Sequence, residues 1–292
     1  MTNQWDRNET GCKKNSKTYN MTRREFVKYA SSVAILMANG NILRAGELNL
    51  DDWEKRKVKL RFVVASDGHY GQKDTEYEKY FETVVTRINE GHAKNPFAFC
   101  MINGDIIHDD KKHFPAAKNA LDKLRLKYYV SQGNHDHATA NEWEGIWSMP
   151  VNLDFTIRKN TFLIATTSNE TGTYLCPDTN WIATQLEKHH QQENVFIFLH
   201  INPGKQTKNG VDCPELFEVF AKHKNVRAVF NGHDHDEEGI KMKNEIPFIF
   251  DAHFGGNWGT AYRGFRVVEL MKDNSIVTYI MNPSEKINEA IT

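Results

Sequence analysis

Five short groups of aspartate, asparagine and histidine occur between residues 67 and 236, and each follows an apolar run. Their side chains supply nitrogen and oxygen donors and no thiolate, which suits Mn²⁺, Fe or Zn²⁺ and suits Cu(I) or an iron–sulfur cluster poorly. One catalytic zinc ion usually takes three protein ligands, so a larger set is better explained by two ions that share a carboxylate. The groups are Asp67-Gly68-His69, Gly104-Asp105, Gly133-Asn134-His135-Asp136, His200 and Gly232-His233-Asp234-His235.

The segments that precede these groups decide whether the side chains can meet. From Val58 onward, β-branched and aromatic runs alternate with helical patterns, which is typical of an α/β protein. In open α/β sheets the loops after the carboxyl ends of the strands converge on one crevice, so the five groups are expected to share one site. The expected strands are residues 60–65, 97–102, 128–130, 162–166, 195–199, 226–230, 248–250 and 265–270, and the expected helices lie near 77–88, 115–125, 179–191 and 214–223.

Each group taken singly has a plainer interpretation. A histidine after a strand is more often a satisfied loop or core residue, and a Gly-Asp pair is most often a turn. Five such groups, each at the exit of an expected strand, favour one common site over five independent turns.

The five groups resemble, in order, the motifs of the calcineurin-like metallophosphoesterases, D-x-H, GD, GNH[DE], H and GHxH. The resemblance covers about residues 58–270. It implies an α/β fold with a four-layer sandwich, in which two mixed β-sheets pack face to face and are flanked by helices. It also implies a dinuclear centre of two divalent metal ions, and the sequence leaves open whether these are Mn, Fe or Zn.

The resemblance also assigns residue roles. The expected ligands are Asp67, His69 and His235 for the first ion, Asn134, His200 and His233 for the second, and Asp105 as the bridge between them. His135 would instead face the substrate and hydrogen-bond or protonate the leaving oxygen, with Asp136 orienting it. Many family members carry an acidic residue or Asn three positions after the bridging aspartate, where this chain has His108, followed by Asp109. Either residue is expected among the contacts that surround Asp105.

The activity implied by the resemblance is that of a metallophosphoesterase, a metal-dependent phosphoric ester hydrolase. Two cations would lower the pKa of a bridging water, so that a metal-bridging hydroxide attacks phosphorus in line, and would neutralise the phosphate oxygens. The expected substrate is a small phosphoester, with phosphomonoesterase and phosphodiesterase activity both open. The alternative is a non-catalytic metal-stabilised binding domain at the cell envelope, because fold alone does not dictate function.

Substrate contacts are less constrained by the sequence. The loop after His200 carries Lys205, which either faces the phosphate or is solvated. The glycine-rich segment 254–259 is either a substrate loop or a tight turn between strands. Trp143 and Trp147 are four positions apart, which favours a core stripe over the lip of a cleft. The residues expected to touch the substrate are His108, Lys205, Phe254, Trp258 and Arg263.

The first 45 residues have a different character. The pair Arg23-Arg24 precedes Phe26 and Lys28, and a weakly apolar stretch follows from Tyr29 to Leu43. This order resembles a twin-arginine signal and implies export of the folded protein by the twin-arginine machinery to the periplasm. The alternative is a surface helix with an incidental arginine pair, which implies a cytoplasmic protein. The expected organisation is an export signal and leader at 1–45, a linker at 46–57, the metallophosphoesterase domain at 58–283 and a C-terminal tail at 284–292.

The composition excludes other classes of protein. Lys and Arg total 37 against 38 Asp and Glu, and beyond residue 45 the counts are 29 and 35. A protein that coats nucleic acid would be basic instead. No apolar run approaches the ~18 residues of a transmembrane span. The four cysteines are too few for a disulfide scaffold. A single bond between Cys176 and Cys213 stays open, as does the oligomeric state.

Overall fold

The structure of the protein is a computed structural model that describes residues 35–38, 41–44, 57–282 and 285–291. The described strands are β1 (Ile35–Ala38), β2 (Asn41–Arg44), β3 (Val58–Ala65), β4 (Cys100–Asn103), β5 (Tyr128–Ser131), β6 (Leu153–Ile157), β7 (Asn160–Ala165), β8 (Asn194–Leu199), β9 (Val226–Asn231), β10 (Ile240–Lys243), β11 (Ile246–Phe250), β12 (Phe265–Met271), β13 (Ile276–Asn282) and β14 (Glu285–Ile291). The described helices are α1 (Tyr77–Lys94), α2 (Phe114–Leu121), α3 (Ala140–Trp147), α4 (Thr179–Lys188) and α5 (Pro214–Lys222), with one 3₁₀ turn at Lys111–His113.

The strands form two sheets. The first has eight strands in the order β2-β1-β14-β13-β12-β3-β4-β5, and the second has six in the order β10-β11-β9-β8-β7-β6. Strands β3, β4 and β5 run parallel, and so do β7, β8, β9 and β11. Strand β12 is antiparallel to β3, and the edge strands β6 and β10 are antiparallel to their neighbours. Both sheets are therefore mixed, and the predicted sandwich of two mixed sheets with flanking helices is confirmed.

The core between the sheets is built from aromatic side chains. Phe62 on β3 is fully buried, stacks on Phe99 with ring centroids 5.0 Å apart, and meets the edge of Phe162 at 5.5 Å. Because successive side chains of a strand point to opposite faces, Val63 and Ala65 instead pack under the helices of the first sheet. Each fully buried phenylalanine contributes about 1.5–3 kcal/mol of apolar burial, so this layer fixes how the two sheets face each other.

The outer helices follow the apolar spacing of the sequence. In α1, the buried residues are Phe81, Val84, Val85 and Ile88, as the three- and four-residue spacing predicts. Helix α3 was not among the expected helices, although its capping box of Thr139 and Glu142 is a sequence signal for a helix start. This helix carries Trp143 and Trp147, which are 0% and 4% exposed and belong to the core, as predicted.

Several strands were not expected from the sequence. Strands β6 and β10 are short edge strands whose residues are mostly half-buried, so their apolar runs are weak. Strand β14 lies in the segment assigned to a C-terminal tail and pairs with β13. Strands β1 and β2 lie within the expected export segment, and β1 pairs with β14 through Leu36 and Ile291. The expected domain boundaries stay predictions, and the Arg23-Arg24 pair lies outside the described residues.

A disulfide bond joins Cys176, in the loop after β7, to Cys213 at the start of α5, with the two Cα atoms 5.7 Å apart. This pairing was left open by the sequence. Cys100 on β4 is a buried free thiol, as expected for a core position. Among the described residues, no helix combines the length and apolar character needed to cross a membrane.

Candidate metal centre

The side chains of the five sequence groups meet where strands of the two sheets end. Asp67 and His69 follow β3, Asp105 follows β4, and Asn134 follows β5, all in the first sheet. The second sheet contributes His200 directly after β8 and the His233 to His235 segment after β9. The site is therefore formed by the carboxyl ends of parallel strands in both sheets.

Tight turns bring the donors inward. Asp67, His69, Asp105 and His233 adopt left-handed backbone conformations, with φ of 59°, 46°, 50° and 68°. Such conformations are uncommon in residues other than glycine and cluster at functional sites. Close approach also requires glycine at position 133, because a Cβ there would lie 2.2 Å from Oδ1 of Asp105.

Asp67, His69 and His235 form the first group of donors. Nε2 of His235 lies 3.2 Å from Oδ1 of Asp67 and 3.1 Å from Nε2 of His69. Donors bound to one ion at ~2.1 Å are themselves roughly 3–3.5 Å apart, so these three atoms have the spacing of a shared coordination sphere. All three residues are buried.

The second group contains Asp105, His200 and His233. Three buried atoms on this side have no hydrogen-bond partner among the described residues: Oδ1 of Asn134, Nε2 of His200 and Nε2 of His233. A buried polar atom without a partner is costly, and a coordinated cation would satisfy all three. Six of the seven predicted ligands thus fall into the two groups, and Asn134 adds a buried oxygen without a partner; the assignment of the seven to a pair of divalent ions stays a prediction.

Asp105 lies between the two groups. Its Oδ2 is 3.1 Å from Nε2 of His200 and 3.8 Å from Nε2 of His69. Its Oδ1 accepts a hydrogen bond from the backbone N–H of His135 at 2.8 Å, which fixes the carboxylate. Oδ1 of Asp67 also approaches the second group, at 3.8 Å from Nε2 of His200, and the bridging role of Asp105 stays a prediction.

Hydrogen bonds made by Nδ1 of the ligand histidines orient Nε2 toward the site. Nδ1 of His200 donates to the carbonyl of Asn103 at 2.7 Å, and Nδ1 of His235 donates to the carbonyl of Trp258 at 3.3 Å. These contacts occupy Nδ1 and direct Nε2 of both rings at the centre. Nδ1 of His69 lies 3.1 Å from Nδ1 of His108. His108 therefore supports His69 as the backbone carbonyls support His200 and His235.

The electrostatics of the site favour a cation between the carboxylates. Burial opposes protonation of His200, but Asp105 and Asp67 outweigh it and raise the pKa of His200 to about 10. Burial lowers the pKa of His69 and the pKa of His233, which keeps both imidazoles in the neutral form that binds metals. Positive charge is stabilised at the point where the predicted ions would lie.

His135 is not part of either group of donors and lies at the side of the centre. Its Nδ1 donates to Oδ1 of Asp109 at 2.6 Å, and its ring stacks on His108 with centroids 4.8 Å apart. Burial acts to lower the pKa of His135, but Asp105 and Asp109 outweigh it and raise this pKa. The ring is therefore held by Nδ1 and has Nε2 available for a substrate.

The structure corrects the role expected for Asp136. Its carboxylate is fully buried and accepts hydrogen bonds from the backbone N–H groups of Ile106 at 2.8 Å, Ile107 at 3.1 Å and Gly133 at 2.8 Å. Asp136 therefore joins the loops after β4 and β5 and is directed away from the ring of His135. The contact that orients His135 comes from Asp109 instead, which the sequence placed only near Asp105.

Of the five expected substrate contacts, His108 and Trp258 lie beside the centre. Trp258 is 41% exposed and stacks on His235. Phe254 is 1% exposed and packs against Phe81 in the core, so it cannot meet a substrate.

The two remaining cationic candidates are occupied elsewhere. Nζ of Lys205 donates to the carbonyls of Lys208 and Gly210, within its own loop. Arg263 lies 4.0 Å above the ring of Tyr80 and donates to the carbonyl of Gly256 at 2.6 Å. Both side chains stabilise loops rather than face the centre.

Two residues at the site were not identified from the sequence. Tyr174 is 41% exposed and places its ring edge-on against His233 with centroids 4.8 Å apart. Asn103 accepts a hydrogen bond from Ser66 at 2.9 Å in addition to the one from His200. Neither belongs to a motif, because Tyr174 lies in a polar loop and Asn103 acts through its backbone carbonyl.

The comparisons with known proteins agree with this geometry. The family model of the calcineurin-like phosphoesterases matches residues 60–237. No curated protein sequence matches the chain.

Solved structures share the fold at low sequence identity. A dimetal phosphatase from Danio rerio is 14% identical with a TM-score of 0.61, over 80% of this chain and 99% of that one. GAP50, the anchor in the inner membrane complex of Plasmodium, is 17% identical with a TM-score of 0.58, over 80% and 89%. The purple acid phosphatase PPD1 of yellow lupin is 12% identical with a TM-score of 0.59, over 80% and 53%.

Proposed function

The chain belongs to the calcineurin-like phosphoesterase family, and on that premise we propose that it hydrolyses phosphoric esters at a dinuclear metal centre. One observation carries the proposal. Oδ2 of Asp105 lies within 3.1 Å of His200 and 3.8 Å of His69, between two groups of buried donors. Two groups of three buried donors are better explained by two ions than by one, because a single catalytic ion usually takes three protein ligands.

The motifs divide the seven ligands between two ions. Asp67, His69 and His235 would hold the first ion, and Asn134, His200 and His233 would hold the second, with Asp105 shared; the two groups of buried donors support this division. Nitrogen and oxygen donors of this kind suit Mn, Fe or Zn. When bound, two such ions activate water at neutral pH and neutralise the charge that grows on the phosphate oxygens.

The protein's own part in the reaction is to position groups and to move one proton. Asp105 is held by the backbone of His135, so the bridging carboxylate and the proton donor are fixed to each other. His135 donates the Nε2 proton to the departing oxygen, while Asp109 holds Nδ1. No serine or cysteine nucleophile is needed for an in-line attack by water.

Metal analysis combined with kinetics tests this proposal. The Mn²⁺-loaded protein is expected to release nitrophenol from 4-nitrophenyl phosphate, from bis(4-nitrophenyl) phosphate or from both, and the ratio distinguishes monoesterase from diesterase activity. Asp105→Asn should lose metal and activity together. The matched control is Asp236→Asn, which changes an exposed carboxylate one residue after His235 and should behave like the wild type.

The opposite result would support a non-catalytic role. A protein that binds two equivalents of metal yet hydrolyses no phosphoester in a broad panel would be a metal-stabilised binding domain. The fold permits this, since fold alone does not fix activity. Full activity in Asp105→Asn would contradict the bridging assignment.

We also propose that the protein is exported through the twin-arginine route to the periplasm. The Arg23-Arg24 context motivates this proposal, and the Cys176–Cys213 disulfide supports it, because such bonds persist in oxidising compartments. The route carries folded proteins, so the metals would be loaded before translocation. Replacing both arginines by lysine should retain the protein in the cytoplasm, and continued export of that variant would contradict the proposal.

A further inference from the structure

Trp258 is a partly exposed aromatic residue beside the metal centre. Its ring stacks on His235 with centroids 4.3 Å apart and planes 10° apart, and it lies 4.7 Å from His69. The residue is 41% exposed, whereas both histidines are buried. The described part of the chain therefore exposes a large aromatic surface directly against two predicted ligands of the first ion.

The indole of Trp258 is held in place by the histidines that it packs on. His253 stacks on His235 at 4.7 Å with planes 15° apart, so His235 is enclosed between His253 and Trp258. His253 is itself held through both ring nitrogens, at 2.6 Å to the carbonyl of Gly255 and 3.0 Å to Oγ1 of Thr260. The indole of Trp258 therefore packs on a histidine that is itself supported. An indole held this way loses little conformational entropy when a second ring binds to it.

The position of Trp258 places it on the leaving-group side of the centre. His135, which donates a proton to the departing oxygen, has its ring 6.4 Å from Trp258 and 5.0 Å from His69. The organic part of the ester begins at that oxygen, and the indole is one of the rings that border this position. Tyr174, the other exposed aromatic residue at the site, contacts His233 at the second ion instead.

We propose that Trp258 determines leaving-group specificity and that the substrate carries a planar aromatic ring on the alcohol side of its phosphoester. The proposal rests on the proposed function and adds the substrate class. An indole face attracts another aromatic ring through offset or edge-to-face contacts, beyond what area alone provides. A simple aromatic alcohol and the base of a nucleotide share this chemistry.

A pair of substrates that differ only in aromaticity tests the proposal. Benzyl phosphate and cyclohexylmethyl phosphate have leaving groups of similar size and reactivity, and the wild type should favour the benzyl ester in kcat/KM. Trp258→Leu should reduce the benzyl-to-cyclohexylmethyl ratio about two- to tenfold, and Trp258→Phe should retain most of it. This ratio does not depend on the fraction of metal-loaded enzyme, because both substrates meet the same sample.

Two further measurements make the result specific. Tyr174→Leu removes the aromatic residue at the second ion and should leave the ratio unchanged. Calorimetric binding of benzylphosphonate, which cannot be hydrolysed at the same bond, should weaken in Trp258→Leu by a similar factor.

The outcomes separate this proposal from the proposed function. Hydrolysis of both esters with no benzyl preference in the wild type, or with the same ratio in Trp258→Leu, overturns the role of Trp258 and leaves the hydrolase intact. Hydrolysis of neither ester, together with no release of nitrophenol from the mono- or bis(4-nitrophenyl) phosphate, overturns both.

A second pair of substrates distinguishes the two sources of the ring. If a Trp258-dependent preference also holds for adenosine 5′-monophosphate over ribose 5-phosphate, the ring is that of a nucleobase. If it holds for the benzyl pair alone, the ring belongs to a small aromatic alcohol. Both results support recognition of an aromatic ring by Trp258.

Discussion

Asp109 accepts a hydrogen bond from Nδ1 of His135 at 2.6 Å, and its same oxygen lies 3.2 Å from Nε2 of His137. The carboxylate therefore fixes the orientation of His135 and, together with Asp105, favours its doubly protonated form, in which Nε2 carries the proton to be donated. His135 is thus held by Asp109 and not by a metal ion. Changes at His135 or Asp109 should therefore affect turnover without removing metal.

Replacement of His135 by alanine should leave the metal content unchanged and lower turnover by about 10²–10⁴. The loss should be largest for esters with poor leaving groups such as benzyl phosphate, because 4-nitrophenolate departs without a proton. Metal analysis and kinetics with both esters check this. Equal losses on the two esters would argue against proton donation by His135.

Asp109→Asn should retain metal and reduce kcat by about 10–100-fold, since a supporting residue is changed rather than the proton donor. The double variant with His135→Ala should be no slower than His135→Ala alone, because Asp109 acts through His135. Additive losses would place Asp109 in an independent role. Kinetics of the two single variants and the double variant provide this comparison.

Asp136→Ala should lower the stability of the fold, whatever its effect on turnover. Its carboxylate satisfies three buried backbone N–H groups, at Ile106, Ile107 and Gly133, and their loss should lower the free energy of unfolding by about 3 kcal/mol or more. Urea denaturation measures the change. Asp109→Asn is the matched control, because Asp109 is largely exposed and should affect stability little.

The Cys176–Cys213 bond closes a loop across 37 positions of the chain, and opening it should lower the free energy of unfolding by about 3–4 kcal/mol. Denaturation of the Cys176→Ser and Cys213→Ser double variant beside the wild type measures this. A wild-type protein whose stability does not respond to a reducing agent would contradict the bond's contribution.

Glu142, remote from the metal centre, should make a pH-dependent contribution to the free energy of unfolding. Hydrogen bonds from Lys111 and from Thr139 at the start of α3 lower the pKa of Glu142 to about 2, against 4.5 for an unperturbed group. A depressed folded-state pKa gives stability that is complete above pH 4.5 and disappears as the pH falls through 2. The wild type should therefore be more stable than Glu142→Gln at pH 6, and the difference should shrink steadily below pH 4.5. A constant difference in urea midpoint would contradict this.

The sequence predicted that these donor side chains would lie close together because each lies directly after an apolar run. Asp67, Asp105 and His200 need only the strand pattern and a short turn to reach the same crevice. The sandwich followed from the same alternation of strands and helices. The edge strands β6 and β10 were not predicted, because their residues are mostly half-buried and do not alternate clearly between apolar and polar.

The residues around the ligands were harder to predict. Asp136 follows His135 directly, yet its side chain points to the backbone of the neighbouring loop, while Asp109 reaches the ring from 26 positions away. Phe254 and Trp258 lie in one glycine-rich loop, but one is buried and the other exposed. Such differences depend on the direction of each side chain, and spacing along the chain does not fix that direction.

The donors come from both layers of the sandwich, with Asp67, His69, Asp105 and Asn134 from the first sheet and the three remaining histidines from the second. A bound pair of ions would thus act as an inorganic cross-link between the layers, in addition to the phenylalanines packed behind it. Chelation should therefore loosen the whole domain as well as stop turnover, and thermal melting before and after treatment with EDTA would show a lower transition temperature.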